Sequence, residues 1–98
     1  MHDYSLSHLP DGTLRSDLAA HVARGHRTTA AVLAHIAEFD ARKLYRPAGY
    51  PSMFLYCVQR LRFSDDAAYK RIQAARTARQ FPAIFDAVAD GRRVRVRD

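Results

Sequence analysis

Between Leu14 and Phe39 the chain reads LRSDLAAHVARGHRTTAAVLAHIAEF, and the spacing of its apolar residues decides the fold. A stripe runs through Leu14, Leu18, Val22, Gly25, Thr29, Leu33, Ile36 and Phe39 in steps of three and four. Such steps place side chains on one face of an α-helix. Gly25 costs about 1 kcal/mol against alanine, yet no proline interrupts the segment. The pattern predicts one helix of about 27 residues, with a break at Arg24-Gly25 as the main alternative. Upstream, Pro10-Asp11-Gly12 is a turn signal, and Thr13 is the expected N-cap. A helix this long must pack against several partners or against a copy of itself.

Downstream, Arg46-Pro47-Ala48-Gly49-Tyr50-Pro51 stops the helix, since two prolines and a glycine cannot continue it. Ser52 then caps a short helix from Met53 to Leu61, with Phe54, Cys57, Val58 and Leu61 apolar at helical spacing. Arg62-Phe63 reads as a turn. Ser64 caps a third helix whose positive N-terminal end suits Asp65 and Asp66. Its apolar line is Ala68, Ile72, Ala75 and Ala78. Phe81-Pro82 separates it from a fourth helix that buries Ile84, Phe85 and Val88 and stops at Gly91. The expected architecture is all-α: a small bundle of about four helices, with a long first helix, a helix-turn-helix-like pair and a short fourth helix. Residues 1–12 read as a flexible N-terminus, 13–91 as the helical domain and 92–98 as a basic tail.

At 98 residues and 11.1 kDa the chain has room for one core only. No apolar run approaches a membrane span, and the N-terminus lacks the pattern of a signal peptide. Cys57 is the lone cysteine, which excludes an internal disulfide and a cysteine-based zinc cage. The expected location is the cytoplasm.

The net charge of +6 is unevenly distributed. Residues 1–58 carry six Lys/Arg and five acids, a net of +1, whereas residues 59–98 carry ten and five, a net of +5. A basic half is the usual electrostatic footprint of a phosphate-backbone partner. In a helix-turn-helix the second helix enters the major groove. Tyr69, Lys70, Gln73, Arg76 and Thr77 are then the outward candidates for DNA contact. Arg suits guanine, Gln suits adenine, and Lys can take a phosphate. The tail adds Arg92, Arg93, Arg95 and Arg97 as phosphate contacts, or as part of a strand if its Val/Arg alternation pairs with another chain. The competing reading of both segments is solvated charge.

Catalytic chemistry is not signalled. His21 and His26 are five residues apart and so do not share a helix face. Glu38 and Asp40 point in different directions, and Asp40 is expected to cap or to pair with Arg42, Lys43 or Arg46 in the turn. Ser52 and Ser64 read as caps and Cys57 as a small core residue. No phosphate-binding glycine loop occurs. The expectation is a non-enzyme that needs neither metal nor cofactor.

Several strings suggest a family. They are TAAVLAHIAEFD at 29–40, Leu44-Tyr45, Gly49-Tyr50-Pro51-Ser52-Met53-Phe54, Tyr56-Cys57, SDDAAYKRIQAAR at 64–76 and Phe81-Pro82-Ala83-Ile84-Phe85. Together they resemble the N-terminal helical region of bacterial HNH endonuclease-type proteins, over roughly residues 14–91. In that family a linker and a C-terminal HNH nuclease module follow. Here the chain reads Arg-Arg-Val-Arg-Val-Arg-Asp after Gly91, without the His/Asn/His metal site. The resemblance implies an accessory helical domain of a nuclease. Two functions follow from the sequence: a non-catalytic DNA-binding module, or a protein-interaction domain that binds a partner protein or forms a homodimer through its first helix.

Overall fold

A computed structural model describes residues 5–92. Helix α1 spans Asp11–Ala41, α2 spans Met53–Leu55 and runs on into one π-helical turn at Tyr56–Arg60, α3 spans Asp65–Gln80, and α4 spans Ala83–Ala89. No strand occurs among the described residues. The architecture is the expected small all-α bundle with a long first helix.

Helix α1 passes through Gly25 without a break. Thr29 Oγ1 donates to the Gly25 carbonyl at 2.9 Å, one of the local bonds open to threonine inside a helix. The helix also starts earlier than its apolar stripe implies. Its N-cap is Pro10, with extended backbone and no side-chain cap, so Thr13 lies inside the helix and does not cap it. Asp11 and Gly12, expected in a turn and in a flexible N-terminus, form the first helical turn instead. Asp11 suits that position because its carboxylate meets the positive end of the helix dipole.

The end of α1 is a Schellman motif. Leu44 N–H donates to the Phe39 carbonyl at 3.1 Å and Lys43 N–H to the Asp40 carbonyl at 3.1 Å. Lys43 occupies the left-handed position with φ 54°, where glycine is the usual occupant. The same closure ends α4: Arg92 N–H reaches the Ala87 carbonyl at 2.8 Å and Gly91 N–H the Val88 carbonyl at 3.0 Å, with Gly91 at φ 76°. There the sequence supplies the glycine that the turn favours.

Ser52 and Ser64 cap as their positions predict, accepting from the N–H groups of Leu55 and Ala67 at 3.1 Å. The second helix departs from expectation. Only its first residues are α-helical, and its last turn widens so that Leu61 N–H donates to the Tyr56 carbonyl five residues back. Arg62 follows with φ 66° and reverses the chain into α3.

The core lies between the C-terminal half of α1, the α2 segment and α3. Leu33, Ile36 and Ala37 meet Tyr45, Met53, Cys57, Ala68, Ile72 and Ala75. The alanines on α3 let its backbone approach α1 closely. At the edge Phe39 lies tilted against Tyr56 with ring centroids 4.6 Å apart, and Tyr50 meets Tyr56 edge-to-face at 5.2 Å. Helix α4 covers α1 from a second side with half-buried Phe85 and Val88. Among the described residues nothing covers α1 before His26: residues 11–25 are exposed along their whole length.

Candidate interaction surface

The uncovered part of α1 carries the first half of the apolar stripe. Leu14, Leu18 and Val22 are 42%, 62% and 48% exposed. Spaced four apart, they form one row on the free half of the helix. Scattered exposed leucines need no explanation, but an aligned row of them on an unpacked helix does. The cause is the shortness of the later elements. The helices after residue 52 reach along α1 only as far as its C-terminal half, and the stripe continues beyond them.

Where the cover begins, it leaves an apolar groove of about 510 Å³. Val32, Ile36 and Phe39 of α1 form one wall, and Met53, Tyr56 and Phe63 form the other. Leu61, 38% exposed, borders it after the π turn. His35 sits at the rim and donates from Nδ1 to the Ala31 carbonyl at 2.6 Å. That bond places the proton on Nδ1, since a carbonyl can only accept. The groove and the exposed row belong to the same helix and the same stripe.

The five candidates on α3 stand differently. Arg76 is turned toward α1, where its guanidinium grips the Asp40 carboxylate with Nε at 2.9 Å from Oδ2 and Nη2 at 3.0 Å from Oδ1. This two-pronged bond raises the basicity of Arg76 above its ordinary value. It also corrects the assignment of Asp40 to a local turn partner. Glu38 takes the local partner instead, with Arg42 Nε at 2.6 Å, and reaches across to Arg79 Nη1 at 3.2 Å. Those two arginines, Arg42 first, hold the Glu38 carboxyl below its usual range.

Gln73 Nε2 donates to Tyr69 Oη at 3.0 Å, Thr77 Oγ1 donates to the Gln73 carbonyl at 3.0 Å, and Lys70 Nζ lies 3.0 Å from Asp66 Oδ2. Gln73 and Thr77 are half-buried, which corrects the expectation that both lie on the outward side. Tyr69, Gln73 and Arg76 share a shallow cleft with Tyr45 and Pro51, whereas Lys70 stays outside it. Arg92 is exposed, with Asp90 at 3.4 Å, and Arg93, Arg95 and Arg97 lie outside the described residues.

Cys57 is fully enclosed, and burial first, then the Asp40 charge, pushes its thiol up, away from nucleophilic reactivity. Among the described residues no three His, Cys, Asp or Glu side chains gather as a metal site would require, and no helix is long and apolar enough to cross a membrane. His21 pairs with Arg24 at 2.7 Å and His26 packs on Gly91. No family model, curated protein or solved structure matches the chain.

Proposed function

We propose that the chain is a self-associating interaction module built on α1, the second of the two functions its sequence suggests. The observation that carries this reading is the exposed row Leu14, Leu18 and Val22 lying in line with an apolar groove on the same helix. Each apolar side chain buried on association contributes up to about 1.5–3 kcal/mol. Two copies bring six such side chains, each about half covered already, and two grooves to set against the cost of association. The resemblance to the helical region of HNH-type proteins adds an accessory role: holding two copies of a larger assembly together.

The test is sedimentation of the chain at tens of micromolar. A dimer is expected, and Leu18→Glu should return it to a monomer with an unchanged circular dichroism spectrum, because Leu18 makes no core contact. A wild-type monomer at that concentration would sink the reading.

DNA binding is the second reading, and the net charge of +6 favours it. The internal bonds of Arg76, Gln73 and Thr77 shift its weight from base contacts on α3 to phosphate contacts by Lys70, Arg92 and the tail. It calls for affinity that falls steeply with salt, by about 0.9 in slope for each phosphate neutralised. An affinity for duplex DNA that does not change between low and moderate salt would exclude it.

A further inference from the structure

We infer that two copies associate antiparallel through α1, so that the bare N-terminal half of each helix fills the apolar groove of the other. This inference rests on the self-association reading above and specifies its geometry.

Leu18, Val22, Gly25, Thr29, Val32, Ile36 and Phe39, the row that takes Val32 in place of core Leu33, step alternately by four and three, the heptad rhythm of helices that pack along a seam. In an antiparallel pair, residues whose numbers sum to 54 lie opposite each other. Leu18 then lies over Ile36, which forms the buried floor of the second copy's groove, Val22 meets Val32, and Gly25 meets Thr29. Leu14 falls opposite Asp40, one residue past Phe39 at the end of the groove. The lengths agree as well: Leu14 to Val22 spans about 12 Å and the α1 wall of the groove, Val32 to Phe39, about 10 Å.

The centre of the pairing is built from small residues. The two-fold axis falls between Gly25 and Thr29, where the helix is thinnest. A Cβ built on Gly25 meets no atom within 4 Å, so the backbone is open to a close-approaching helix. Two small residues at the axis let the seams close on both sides of it.

Charge favours the same arrangement: Asp11 of one copy approaches the end of α1 in the other, where Arg42 and Lys43 follow the last helical residue. An in-register parallel pair would set each of these charges against itself and leave both grooves empty. Antiparallel pairing also keeps the two helical bodies at opposite ends, whereas parallel pairing crowds them at one end.

The area covered comes close to what a stable pair requires. From Asp11 to Phe39, α1 is about 42 Å long and about 11 Å across. Covering a third to a half of its girth over that length removes on the order of 500–700 Å² per copy, before the far walls of the groove are added. A standard stable interface takes about 800 Å² per partner.

The test uses thiol cross-linking of the full chain, with the native protein as control because Cys57 is enclosed. The single variants Val22→Cys and Val32→Cys and the double variant carrying both are treated with the shortest bis-maleimide, and their masses are followed by sedimentation. Cross-linked dimer from the double variant, with little from either single variant, is the expected result. Efficient cross-linking of Val22→Cys to itself would show parallel pairing and overturn the register while leaving self-association standing. A dimer by sedimentation in which the double variant does not cross-link would overturn the register in the same way. A native chain that stays monomeric removes both claims together.

Discussion

Asp40 and Arg76, thirty-six residues apart, tie the end of α1 to the middle of α3 through two parallel N–H···O bonds of 2.9 Å and 3.0 Å. The Asp40 side chain is only 15% exposed, while Arg76 is 57% exposed. The pair is therefore half-buried, stronger than a surface bridge and weaker than a dry one. Arg76→Ala would leave the Asp40 carboxylate largely enclosed without its donor. The expected loss is about 1–2 kcal/mol after allowing for solvent screening. Asp40→Ala should cost less, since Arg76 can turn to water. A double-mutant cycle followed by thermal melting measures the coupling, and additive effects would show that the bond contributes nothing.

Lys43 and Arg62 both sit at positive φ, at 54° and 66°, where a side chain costs about 1 kcal/mol. Replacing either with glycine relieves that strain and adds some unfolded-chain entropy, for a net gain of about 0.5 kcal/mol each. Melting in a Leu18→Glu background, where association plays no part, should rise by a few degrees. Lys43→Ala and Arg62→Ala should show no such rise.

Gly91 is the opposite case. Its φ is 76°, and a Cβ placed there would lie 2.7 Å from His26 Cδ2 and 2.9 Å from Nε2. Gly91→Ala should cost about 1–2 kcal/mol from backbone strain and displacement of the imidazole. Adding His26→Ala should recover the contact part and leave the strain, which a melting series of the three variants resolves.

Glu38 sets a pH dependence. Arg42 and then Arg79 hold its folded pKa below the unfolded value, so its contribution is complete above the unfolded value of about 4.3. That contribution disappears as pH falls through the lower folded value. The stability gap between wild type and Glu38→Gln should be open at pH 7 and close in acid. Because these groups are exposed, added salt should narrow the gap at pH 7 as well.

How much of this was legible in the sequence differs from element to element. The stripe from Leu14 to Phe39, the caps at Ser52 and Ser64, and the glycine closure at Gly91 depend on neighbours within a few residues, and local spacing states them directly. Pro10 at the N-cap displaced Thr13 because a proline's fixed φ and an acidic first turn start a helix without a capping hydroxyl. The bond between Arg76 and Asp40 had no such signal. Arg76 looked free on its own helix, and its partner came from a segment thirty-six residues earlier.

What the sequence determined by itself, then, is the all-α class, the order of the helices and which residues share a face, because helical periodicity and capping act over one or two turns. Only the tertiary structure decided how far along α1 the later helices reach. That reach depends on the summed lengths and packing of distant elements, and it leaves Leu14, Leu18 and Val22 bare while enclosing Leu33 and Ile36 of the same stripe. One continuous apolar row was thereby divided into a core and a surface, and no local pattern in the row marks where that division falls.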